Sequence, residues 1–138
     1  MSLEPGKDGD ECIAVIGAGA YGTAIAEMAA RAGHRVKLYA RDNAVVNAIN
    51  TERRNPRYLS EFTLSPKILA VSSIAQALED VTLAILAIPT QKIPSWLEDH
   101  KLKIHPELLI CNTAKGLYLE DNCLLSEAVA KIMQVCRL

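Results

Sequence analysis

Residues 12–22 limit the fold more than any other stretch of this chain. Cys12-Ile-Ala-Val-Ile16 is short, apolar and rich in β-branched residues, and Gly17-Ala-Gly19-Ala-Tyr-Gly22 follows it with no spacer. An apolar run of that length reads as a strand buried on both faces. Residues 20–32 are alanine-rich and free of proline, and Gly33 supplies a stop, so a helix opens inside the glycine run. Three glycines at this spacing between a strand and a helix have separate tasks. Gly17 permits the tight turn, Gly19 lets the backbone come into contact with a pyrophosphate, and Gly22 lets the helix pack closely on the strand. The amides around Ala20 and Tyr21 then lie at the positive end of the helix dipole, where an anion is favoured.

The same alternation continues along the chain. Arg35-Val-Lys-Leu-Tyr-Ala40 alternates polar and apolar residues and reads as a second strand, after which Asp42 or Asn43 can cap a helix over residues 43–53. Residues 55–66 form a loop with two prolines, and residues 68–71 a brief strand. Ser72 or Ser73 then caps a short helix reaching about Glu79. Residues 81–88 are the most strand-like in the chain and belong inside a sheet, with Pro89 removing a ladder donor at their end. A helix over residues 93–100, an apolar run over 108–112 and an amphipathic segment over 121–136 complete the pattern. That last segment is expected on the outside of the sheet. Strands alternating with helices imply right-handed crossovers, hence an α/β fold: a doubly wound parallel sheet of the Rossmann dinucleotide-binding type. One domain over residues 12–138 is expected, preceded by a disordered leader at residues 1–11.

Charge and cysteine usage exclude other classes. The 15 basic and 16 acidic side chains nearly cancel, so no long-range field gathers nucleic acid or coats an anionic membrane, and a small-molecule partner is expected. Uncharged stretches such as residues 81–91 fall well short of the ~20 apolar residues needed to span a bilayer. Residues 1–11 lack the apolar core of a secretory signal. The four cysteines, Cys12, Cys111, Cys123 and Cys136, form no C-x-x-C pair, which points to reduced thiols, a cytoplasmic location and no metal centre. Cys12 and Cys111 sit in apolar strand-like runs, where buried, inert packing is expected.

Three further positions carry candidate chemistry. Arg41, at the end of the second strand, offers a planar fork suited to a 2′-phosphate and so favours or tolerates NADP(H), while neighbouring Asp42 keeps NAD(H) open. Pro89, Thr90 and Gln91 leave the central strand at its carboxyl end, where Thr90 or Gln91 can meet a cofactor ribose or Thr90 can cap a helix. Cys111-Asn-Thr-Ala-Lys115-Gly116 leaves the next strand in the same manner and brings an ammonium towards the nicotinamide end, where it can polarise a carbonyl or hold an anionic substrate.

Taken in order, Val15-Ile-Gly-Ala-Gly-Ala-Tyr-Gly-Thr-Ala24, Leu38-Tyr-Ala-Arg-Asp42, Asn55-Pro-Arg-Tyr-Leu59, Ile88-Pro-Thr-Gln91 and Thr113-Ala-Lys-Gly-Leu117 resemble NAD(P)-dependent glycerol-3-phosphate dehydrogenase over residues 12–136. The resemblance implies reversible hydride transfer between sn-glycerol 3-phosphate and NAD or NADP, giving dihydroxyacetone phosphate. It implies that Lys115 is the lysine of the first domain that meets the substrate and Tyr21 the aromatic residue beside the cofactor diphosphate. It further implies a sixth strand and a helical second domain, with another active-site lysine and the phosphate-binding groups, lying beyond this sequence. The full-length protein is expected as a homodimer, and this chain alone to bind cofactor without turnover. Competing readings are the amino-terminal domain of a ketopantoate reductase or sugar-nucleotide dehydrogenase, and a nucleotide-sensing module without catalysis.

Overall fold

Apolar and β-branched runs build five parallel strands: β1 (Cys12–Ile16), β2 (Arg35–Tyr39), β3 (Ile68–Val71), β4 (Leu83–Leu86) and β5 (Leu109–Asn112). They lie in the order β3-β2-β1-β4-β5, and every neighbouring pair is parallel. The computed structural model describes residues 11–134. The expected leader other than Glu11, together with Cys136 and Arg137, lies outside the described residues. Central β1 is buried at all five positions, as its unbroken apolar run requires.

Helices cover both faces of the sheet, which makes it doubly wound. On one face α1 (Ala20–Arg31) and α2 (Asn43–Glu52) lie over Val15, Val36, Leu38, Ile68 and Ala70. Ala26 and Ala30 of α1 are buried there, and their small side chains let the helix sit close to the sheet. On the other face α3 (Ile74–Leu78), α4 (Ile93–His100) and α5 (Leu125–Gln134) enclose Ala14, Ile16, Val71, Ala84 and Leu86. The caps follow local chemistry. Asp42 caps α2 through the Ala44 amide, Ser73 caps α3 through the Gln76 amide, and Gly33 at φ +103° closes α1.

Several sequence expectations change in the assembled sheet. The expected strand over residues 81–88 is shorter, because its partner β1 has only five residues; single hydrogen bonds from Thr82 to Cys12 and from Ala87 to Ile16 mark the ends of the pairing. Cys111 is exposed rather than buried. It and Leu109, 63% exposed, lie on edge strand β5 opposite Ile85 and Leu83, and β5 contributes no residue to the cluster under α1 and α2. Cys12, on the central strand, is buried as expected. Residues 117–124 contain an unanticipated antiparallel hairpin, β6 (Leu117–Tyr118) with β7 (Cys123–Leu124), before α5 begins. Lys37 of β2 turns its ammonium onto the Gln76 and Glu79 carbonyls at the end of α3. No helix among the described residues is long and apolar enough to cross a membrane.

Candidate cofactor site at the carboxyl edge of the sheet

The chain leaves β1 for a helix on one face and leaves β4 for a helix on the other, so a crevice opens between them at the carboxyl ends of the strands. In open α/β sheets this switch point is where ligands bind. The loops around it are laced together. The Gly17 amide donates to the Tyr39 carbonyl (3.2 Å), the Thr113 hydroxyl to the Leu86 carbonyl (2.8 Å), and the Thr90 hydroxyl to the Lys115 carbonyl (2.6 Å). The Ala87 amide donates to the Ile16 carbonyl (2.8 Å) and joins the two pairs, so the carboxyl ends of β1, β2, β4 and β5 form one connected rim.

The three motif glycines differ in what surrounds them. Gly17 has φ +116°, and a Cβ there would lie 2.5 Å from the Ala87 carbonyl oxygen. At Gly22 a Cβ would come within 1.8 Å of the Gly17 carbonyl oxygen. Backbone geometry thus demands both glycines. Gly19 is otherwise: φ is −74°, and a Cβ would meet nothing within 4 Å. The protein's own packing imposes no glycine there, and the space above it lies open at the start of α1. No side chain caps that helix and no acidic residue occupies its first turn, so the first amides present an uncompensated positive end. Ala20 and Tyr21 at this end are exposed, Tyr21 by 55%.

Asn55 fastens a second loop to the glycine turn. Fully buried, it donates through Nδ2 to the Ala18 carbonyl (3.0 Å) and the Thr23 hydroxyl (2.9 Å), and its Oδ1 accepts the Arg57 and Tyr58 amides (3.1 and 3.2 Å). The loop so held carries Tyr58, Leu59 and Phe62, all exposed, and brings Arg57 against Asp42. In the sequence the one signal for Asn55 and Arg57 is the Asn-x-x-Tyr-Leu spacing. Arg41 is exposed at the same corner.

Lys115 projects into solvent at the end of β5, and its backbone is fixed from below. Besides Thr90, Gln91 donates to the Leu117 carbonyl (2.8 Å) and accepts the Leu119 amide (3.1 Å), while Asn112 accepts the Ala114 amide (3.0 Å). Thr90 does not cap α4, since a 3-10 turn at Thr90–Lys92 intervenes; its hydroxyl positions the lysine loop. Exposed Pro89 makes the bend out of the sheet. Beyond Gly116, the Tyr118 phenol donates to the Glu120 carboxylate, which together with desolvation pushes its pKa up to about 12. It therefore stays protonated at neutral pH.

Comparison with known proteins agrees with this geometry. A model of the family described as NAD-dependent glycerol-3-phosphate dehydrogenase N-terminus matches residues 12–137. A relative from Chelativorans sp. (strain BNC1), named glycerol-3-phosphate dehydrogenase (NAD(P)+), is 42% identical over 123 residues, covering 88% of this chain and 37% of the relative. The solved glycerol-3-phosphate dehydrogenase of Coxiella burnetii superposes with a TM-score of 0.82 at 30% identity, over 90% of this chain and 38% of that one. For the Plasmodium falciparum enzyme the TM-score is 0.78 at 27% identity, over 91% and 38%. The chain thus spans less than two fifths of the length of the relatives it matches. With the glycine turn, the strand order and residues 12–137 all in agreement, the chain belongs to the NAD-dependent glycerol-3-phosphate dehydrogenase N-terminal family.

Proposed function

We propose that residues 12–138 form one cofactor-binding domain, taking NAD(H) or NADP(H) across the carboxyl edge of the sheet. On this reading it serves an enzyme that interconverts sn-glycerol 3-phosphate and dihydroxyacetone phosphate. The observation that carries the reading is the contrast among the glycines: Gly17 and Gly22 answer to the protein's own backbone, whereas Gly19 leaves a space that nothing in the chain fills, over uncapped helix amides. A pyrophosphate suits that space in size and charge. Tyr21 flanks it, Arg41 faces the adenosine ribose, and Pro89 and Thr90 line the nicotinamide side.

The bound nicotinamide supplies a two-electron hydride acceptor or donor. Lys115 holds its ammonium beside the reacting oxygen of the substrate, stabilising the charge that develops there as the C2–H bond breaks or forms. Thr90 and Gln91 keep its loop in place. The phosphate of the substrate, and the proton exchanged at its oxygen, call for donors beyond those on this rim. The three described thiols are free, in keeping with a cytoplasmic, reducing location. We assign the full-length form as a homodimer, which light scattering on that form tests. Calorimetric titration of this chain with NADH and NADPH tests the central reading: saturable binding of at least one supports it, and a folded chain that binds neither overturns it.

A further inference from the structure

The corner beyond β2 holds three charges that the glycine motif does not foretell. Asp42 uses one carboxylate oxygen to cap α2, accepting the Ala44 amide at 2.8 Å, and the other to accept Nη2 of Arg57 at 2.5 Å. Both its oxygens are engaged. The Arg57 side chain is 63% exposed, yet its backbone cannot drift, because its amide donates to the buried Asn55 that also binds the glycine turn. Arg41 is exposed and has no hydrogen-bond or ion-pair partner among the described residues. Two guanidinium groups and one carboxylate therefore surround the end of β2, two residues beyond the Tyr39 carbonyl that receives the Gly17 amide.

Resting on the cofactor reading above, we propose that Arg57 is a specificity-determining residue, which selects a 2′-phosphate over a 2′-hydroxyl on the adenosine ribose by controlling Asp42. A free carboxylate here would accept the 2′-hydroxyl and repel a phosphate. With Arg57 on its outer oxygen, Asp42 has its charge offset and that oxygen already shared with a guanidinium. The same guanidinium brings N–H donors left over from that pair, in a planar fork that fits phosphate. Together with Arg41 it gives the phosphate two cations, while the hydroxyl must share its acceptor with a guanidinium. NADP(H) is thereby favoured over NAD(H). An exposed pair of this kind contributes little to folding, so its removal reports on the ligand.

The test is calorimetry on the 138-residue chain with NADPH, NADH, 2′,5′-ADP and 5′-AMP, with thermal melting of each variant as a check on folding. Arg57→Gln is expected to lower the NADPH-to-NADH affinity ratio by roughly ten- to a hundredfold, the loss that goes with a charge-assisted contact, and to lower 2′,5′-ADP relative to 5′-AMP in parallel. Arg57→Lys, which keeps the charge without the fork, should recover part of the ratio. Asp42→Asn retains a side chain able to cap α2 and should raise the ratio. If Arg57→Gln weakens both cofactors by the same factor, or neither, or if Asp42→Asn lowers the ratio, the assignment to Arg57 is overturned and the cofactor reading stands. A folded wild-type chain that binds none of the four ligands overturns the cofactor reading and this assignment with it.

Discussion

Substituting the glycines one at a time separates what the fold requires from what the ligand requires. At Gly22 an alanine Cβ would sit 1.8 Å from the Gly17 carbonyl oxygen, where ordinary contact begins at 3.4 Å, so strand and helix must part by more than an ångström. Overpacking of that degree costs about 3 kcal/mol or more, and for a domain this size 1 kcal/mol shifts the melting temperature by roughly 2–8 °C. At Gly19 the backbone already has φ −74° and the Cβ position is empty to 4 Å, so Gly19→Val costs the fold at most about 1 kcal/mol, from its weaker N-cap preference. The valine methyl groups nevertheless fill the space where a phosphate oxygen must come within about 3 Å of the helix amides. Loss of one or two charge-assisted bonds at roughly 1.5–3 kcal/mol each weakens NADH and NADPH at least ~tenfold, and ~hundredfold or more if both are lost. Differential scanning calorimetry and isothermal titration of the two variants measure both effects. The reasoning fails if Gly19→Val is folded and binds cofactor as tightly as wild type, or if Gly22→Ala melts where wild type does.

Asn55→Leu keeps the forked shape but strands the Ala18 carbonyl, the Thr23 hydroxyl and two loop amides; a loss of about 2–4 kcal/mol in urea denaturation is expected, and a loss below 1 kcal/mol would show that Asn55 is no anchor. Burial, and then the Lys103 ammonium, hold the His100 imidazole below its usual 6.5 against the opposing pull of Asp99. Because the folded pKa is the lower one, this contribution to stability is present above pH 6.5 and is lost as pH falls through the folded value. The single tryptophan, Trp96, has its ring 5.0 Å from His100, so its emission should titrate with a midpoint below 6.5, and a change that persists in His100→Gln would exclude His100 as its source. The chain alone should bind cofactor without oxidising NADPH or NADH in the presence of dihydroxyacetone phosphate: Lys115 stands at the rim, whereas Lys131 lies on α5, which packs against α4. In a full-length form Lys115→Ala should cut the rate by orders of magnitude with little change in cofactor affinity, and steady turnover by the 138-residue chain would refute this division of labour.

Local chemistry was readable from the residues alone wherever an element depends on its own neighbours. The strand–glycine–helix unit, the caps to within one residue (Asp42 or Asn43, Ser72 or Ser73), the bounds of β3 and α4, and the parallel alternation all follow from apolar period, β-branching and side chains that bond two or three residues away. Tertiary structure decided whatever depends on distant partners. Cys111 looks like any core strand residue until β5 proves to be an edge with one face beyond the reach of α1 and α2. Lys37 is one polar residue of an alternating strand until the end of α3, some forty residues on, offers it two carbonyls. Asn55 reads as a loop polar residue until Thr23, 32 residues earlier, meets it in the interior, and Thr90 reads as either a ribose contact or a helix cap until the Lys115 carbonyl, 25 residues later, takes its hydroxyl. Periodicity and capping carry information across about four residues, whereas burial and hydrogen-bond satisfaction are set by whichever elements the crossovers bring alongside, and the crevice at the sheet's edge is assembled from turns after four separate strands.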